Sequence, residues 1–155
     1  CGHRRTDAWE WRNTSMDLAE SHDVGKRDIF YSRAELRGQS YRVSWFREPE
    51  DPSAIWRENI IADSVEAVLH FIGAADFNED GKMDVMTAAM KQGAYPQEVS
   101  VFYQQRGNQW ERQVLSNDGS HSMILDDFDR DGDVDAAGAN HQESIVKMWV
   151  NRGLK

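Results

Sequence analysis

The sequence predicts an all-β chain of about three antiparallel four-stranded repeats. Three observations carry that prediction. Two acidic, glycine-containing loops recur in register, β-prone and aromatic segments follow each loop in the same order, and turn-forming residues separate these segments at short intervals.

The repeat is explicit. His70 to Val85 aligns without a gap on His121 to Ala136, which places Gly132 51 residues after Gly81. A third, decayed copy runs from Thr14 to Ile29, with Gly25 lying 56 residues before Gly81. It keeps the glycine, the closing Asp28 and an apolar residue after it, but Val24 stands where the other copies have a carboxylate. After each loop comes a β-prone run, Asp28 to Ser32, Asp84 to Ala88 and Asp135 to Ala139. An aromatic strand follows, Arg42 to Arg47, Val99 to Gln104 and Ile145 to Val150. A fourth strand follows in two copies, Ile55 to Ile61 and Gln109 to Leu115. Four short strands in a period of about 50 residues are what one blade of a β-propeller requires. The blades are expected at about 14–61, 67–115 and 121–155, within one repeat region spanning 1–155. Residues 8–12 are expected to be a strand of a neighbouring or closing blade.

These residues resemble the FG-GAP and VCBS group of calcium-binding propeller repeats, as in integrin α-subunit propellers and many bacterial secreted proteins. The resemblance covers roughly residues 9–153 and is carried best by the paired acidic loops. The chain departs from that pattern in its degenerate first loop and in having no Phe-Gly…Gly-Ala-Pro string.

Composition excludes several classes of function. A net charge of −9, from 18 Lys and Arg against 27 Asp and Glu, opposes attraction to nucleic acid or anionic lipid. The single cysteine, Cys1, precludes an internal disulfide, and no apolar run reaches the length of a membrane span. The opening Cys1-Gly2 is compatible with a lipoprotein after signal cleavage, in which Cys1 carries the lipid. A cut fragment is the preferred expectation over a lipoprotein.

The loops carry the chemistry. A hard cation takes six to eight oxygens, and a glycine turn lets alternate residues aim theirs at one centre. In the first intact loop the ligands are expected from the side chains of Asp76, Asn78, Asp80 and Asp84 and the carbonyl of Lys82. In the second they are expected from Asp127, Asp129, Asp131 and Asp135 and the carbonyl of Asp133. EF-hand and dockerin loops open similarly but close on an acidic twelfth residue; that position here holds Thr87 and Gly138. Neither loop has a cysteine or a histidine pair beside it, which disfavours zinc. About two calcium ions per chain are expected, and none at the decayed loop, whose ligand positions hold Glu20, His22, Val24 and Asp28.

His70 and His121 share a repeat position, which points to a structural role in each blade, and nothing local supplies His141 with a nucleophile. Trp45, Trp56, Trp110 and Trp149 fall on strands, where packing between blades is expected. Trp9 and Trp11 share a face and are expected at an interface with the blade of Trp149. With no G-x-S-x-G or HExxH motif, the expected function is noncatalytic: an extracellular or cell-surface calcium-binding module, with a periplasmic location as a variant. Its partner is expected to be another protein, a polysaccharide or further copies of itself. The competing expectation is a fragment of a propeller-based polysaccharide lyase.

Overall fold

The computed structural model describes residues 14–19, 26–94, 96–140 and 144–153. Among these every regular element is a strand, grouped into three antiparallel sheets whose strand order follows the chain. Sheet one holds β1 (Thr14–Ala19), β2 (Asp28–Arg33), β3 (Leu36–Arg47) and β4 (Arg57–Ala67). Sheet two holds β5 (Leu69–Ala75), β6 (Asp84–Ala89), β7 (Val99–Gln104) and β8 (Trp110–Ser116). Sheet three holds β9 (Ser122–Asp126), β10 (Asp135–Ala139) and β11 (Val146–Trp149). The sheets are propeller-like blades in an open array: β1 packs against β5, and β5 against β9.

Strand periodicity explains why sheet two is the core. Successive side chains point to opposite faces, so a strand covered on both sides reads as a continuous apolar run and not as an alternation. On β6 every residue is buried. Val85 and Ala89 join Phe30, Val43 and Trp45 of sheet one, whereas Met86 and Ala88 join Val99, Val101 and Ala136 on the side of sheet three. On β7 the alternation repeats, with Phe102 toward sheet one and Val99 and Val101 toward sheet three.

Two tryptophans tie neighbouring sheets together. The indole N–H of Trp45 donates to Asn108 Oδ1 (3.0 Å), in the turn between β7 and β8. That of Trp149 donates to Ser116 Oγ (3.2 Å) across sheets two and three. The strands β3 and β4 are longer than the sequence suggested, and their pairing absorbs the extra residues through three register shifts. The expected strand over 8–12, with Trp9 and Trp11, lies outside the described residues, as do Cys1, Glu20, His22, Val24 and His141.

Packing makes a testable contrast. Phe102→Ala removes a buried ring between two sheets and should cost about 3–5 kcal/mol, whereas Val114→Ala, on an exposed position of β8, should stay within about 0.5 kcal/mol. Chemical denaturation of the two variants measures both.

Candidate metal loops

Each acidic loop joins the first and second strands of its sheet, β5 to β6 and β9 to β10. The two loops have the same backbone. Glu79 and Arg130 adopt left-handed φ values of 58° and 65°, and Gly81 and Gly132 follow at 82° and 100°. Side-chain oxygens hold these turns. In the first loop Asp80 N donates to Asp76 Oδ1 and Asn78 Oδ1 (both 3.1 Å), Gly81 N to Asp76 Oδ2 (2.8 Å) and Lys82 N to Asp80 Oδ1 (3.0 Å). In the second, Asp131 N donates to Asp127 Oδ1 (3.1 Å) and Asp129 Oδ1 (3.2 Å), Gly132 N to Asp127 Oδ2 (3.1 Å) and Asp133 N to Asp131 Oδ1 (3.1 Å).

The closing aspartate is the anchor. Asp84 is fully buried; its Oδ2 accepts from Phe77 N (3.1 Å) and its Oδ1 from Gln104 N (2.8 Å) at the end of β7. Asp135 repeats the arrangement, with Oδ2 on Phe128 N (3.1 Å) and Oδ1 on Asn151 N (2.8 Å) beyond β11. The decayed copy keeps a buried Asp28 at this place.

Electrostatics separates the loops. Burial pushes the Asp84 carboxyl up to about 6; its two backbone N–H donors pull the other way, and the charges of Asp80 and Asp76 add to the rise. Burial also raises Asp129, helped by Asp131 and Asp135. Against an upward push from burial, the hydrogen bond and charge of Lys82 hold Asp80 below the ordinary carboxylate range. Lys82 Nζ contacts Asp80 Oδ2, so the first loop carries its own cation. The second has Asp133 at that position.

Donor geometry suits a calcium-sized ion in the second loop. Carboxylate oxygens of Asp127, Asp129 and Asp135 lie within 4.8 Å of one another, and ligands at about 2.4 Å from a shared calcium are separated by at most about twice that distance. Asp131 stands outside this trio, with one oxygen engaged on Asp133 N. The Asp133 side chain is buried and faces Gly153: a Cβ built on Gly153 would lie 2.6 Å from Asp133 Oδ2.

His70 and His121 meet. Their rings are 4.4 Å apart at an interplanar angle of 34°, and His70 Nε2 lies 3.7 Å from Glu35 Oε1. Equal repeat positions on neighbouring sheets were the available signal for this contact. A cleft of about 690 Å³ opens between β7, β8 and the end of sheet three, lined by Val101, Tyr103, Leu115, Trp149 and Asn151.

Strand order, sheet stacking and duplicated loops together define a propeller-type repeat protein. Residues 76–138 match the family model of the FG-GAP-like repeat, so that stretch is similar to a repeat of the FG-GAP type. That span begins at the first acid of the first intact loop and runs through the whole of the second. No curated protein and no solved structure matches the chain.

Two predictions follow from this geometry. Gly107→Ala, at φ 70°, meets no atom within 4 Å and should cost only the left-handed backbone penalty, about 1–2 kcal/mol. Gly153→Ala carries the same penalty at φ 59° and adds a collision with Asp133, so its melting temperature should fall further. The second prediction concerns pH in excess chelator. The folded value for Asp84, about 6, exceeds the ordinary 3.8, so the folded chain binds more protons than the unfolded chain between these values. Asp84 should therefore lose the metal-free fold stability as pH rises from about 4 to about 6, with Asp129 acting in the same direction. Asp84→Asn should flatten that slope in pH-dependent denaturation, even though the loss of one acceptor lowers stability at every pH.

Proposed function

We propose that the chain is a noncatalytic, calcium-stabilised propeller module that works outside the cytoplasm and engages another protein or a polysaccharide. The observation that carries this reading is the duplicated loop, in which identical turns gather self-repelling acidic groups beside one buried aspartate. In the second loop Asp127, Asp129 and Asp135 would hold the ion; in the first, Asp76, Asn78, Asp80 and Asp84, with the carbonyls of Lys82 and Asp133 completing the two sets. Bound calcium would neutralise the cluster and tie two strands of each sheet together, so that binding energy adds to folding energy. Exposed loops of this kind give sites of modest affinity, which fill where calcium is plentiful. The cleft beside Tyr103 and Trp149 offers aromatic and amide groups suited to a saccharide or a peptide.

Chelation should lower the melting temperature, and calcium should restore it better than equimolar magnesium, which demands a stricter octahedral site. An unchanged melting curve in excess chelator would defeat the reading. Metal analysis should find about two calcium ions per chain, one per intact loop. Asp80→Ala and Asp129→Ala should each remove one ion, and a change at Val24 none. Lys82→Ala should tighten the first site by freeing Asp80 from its competing cation. Three tightly held ions would contradict the assignment of the loops.

A further inference from the structure

The two acidic loops belong to different sheets, yet one residue outside both is bonded to each. Asn151 follows β11, and its backbone N–H donates to Asp135 Oδ1 (2.8 Å), on the carboxylate that closes the second loop. Its side-chain Nδ2 donates to the carbonyl of Phe77 (2.7 Å), which lies between Asp76 and Asn78 of the first loop. Phe77 N in turn donates to Asp84 Oδ2 (3.1 Å), on the carboxylate that closes the first loop. The closing aspartates are thus joined through Asn151 and Phe77, which are 74 positions apart in the chain. A second, apolar link runs beside this one. The ring of Phe77 is 6% exposed and shares a core with Ala136 and the partly buried Val134, the two neighbours of Asp135.

Asn151 also orders the chain beside Asp133. Its Oδ1 accepts from Gly153 N (3.2 Å), and Gly153 lies against the Asp133 carboxylate. Asp133 is 7% exposed, and its Oδ2 has no hydrogen-bond donor among the described residues. A buried carboxylate oxygen without a donor is unfavourable unless a nearby cation offsets its charge. This oxygen points to a cation at the second loop independently of the convergence of Asp127, Asp129 and Asp135.

We propose, resting on the calcium reading of the loops, that the two ions bind with positive coupling and that Asn151 is the positioning residue that carries it. Each ion needs the closing aspartate of its loop held in place. The ion that binds first orders the joint of Asp135, Asn151 and Phe77, so the second meets a loop already ordered and loses less conformational entropy. Lys82 Nζ contacts Asp80 Oδ2 in the first loop, so the second loop fills first. Filling it raises the affinity of the first loop, and by reciprocity the first loop raises that of the second by the same factor. Repulsion between two divalent ions opposes this coupling and is reduced by salt, whose screening length is about 8 Å at about 0.15 M. The junction of sheets two and three therefore becomes ordered over a narrower range of calcium concentration than two independent sites would give.

Calorimetric titration of calcium into the chelator-stripped full chain, at physiological salt, tests the proposal. Asp129→Ala leaves only the first loop able to bind and Asp76→Ala only the second, which gives the two single-site association constants. The product of the two stepwise wild-type constants should exceed the product of the single-site constants by at least about fivefold. In an Asn151→Ala background the same comparison should give a ratio of about one, with an ion still held in each loop. A residue that only stabilised the fold would shift the individual constants and leave the ratio unchanged. Asn151→Asp is the second variant: it keeps the acceptor for Gly153 N, removes the donor to Phe77 O, and should lose the excess as well. Circular dichroism shows which variants fold, and the wild-type ratio is measured without either substitution at Asn151. A wild-type ratio at or below one, or an undiminished ratio in a folded Asn151 variant, would overturn the coupling while two bound ions uphold the calcium reading. A wild-type chain that binds no calcium would overturn both.

Discussion

The buried aspartate that closes each loop is the constraint on which the rest of the structure depends. Asp84 holds Phe77 N at the start of its loop and Gln104 N at the end of the third strand; Asp135 does the same for Phe128 N and Asn151 N. One carboxylate thereby fixes the loop entry, the second strand and the end of the third strand. Hydrogen bonds to an ionised acceptor are among the stronger ones in a protein, yet burying that acceptor raises its proton affinity. Asp84 carries this conflict visibly. A cation bound in the loop would resolve it by favouring the ionised form, which links the proposed metal site to the folding problem.

Sheet two shows what such anchored hairpins can build. With its loop held, β6 presents apolar groups on both faces, and the sheets on either side cover both. Stacking is then a nearest-neighbour arrangement in which every interior sheet is satisfied and every terminal one is not. The exposed Met16 and Leu18 at one end, and Val146 and Met148 at the other, are a direct consequence of that arrangement.

Much of this was legible in the sequence because its information is periodic. Loop spacing, the order of β-prone and aromatic runs and the missing carboxylate at Val24 follow from side-chain chemistry at fixed offsets, and the strands appear where these offsets place them. The sequence also carried the pairing of His70 with His121 as an equal repeat position, but not their contact, which needs neighbouring sheets in register. The upstream extension of β3 and the bulged pairing with β4 were not legible either. Pairing length is decided by the partner strand and not by local propensity.

By itself the sequence determined the residue classes and their repeat: which positions are acidic, which are glycine, and which strands are apolar. Only the tertiary structure decided which oxygens converge. It gathers Asp127, Asp129 and Asp135 while turning Asp131 to a backbone N–H and Asp133 toward Gly153. It likewise decided that Val99 is covered and its repeat partner Val146 is not. The physical reason is the same in both cases. Spacing along the chain fixes which side chains share a face, whereas convergence on a point and coverage by a neighbour depend on how separate segments pack in three dimensions.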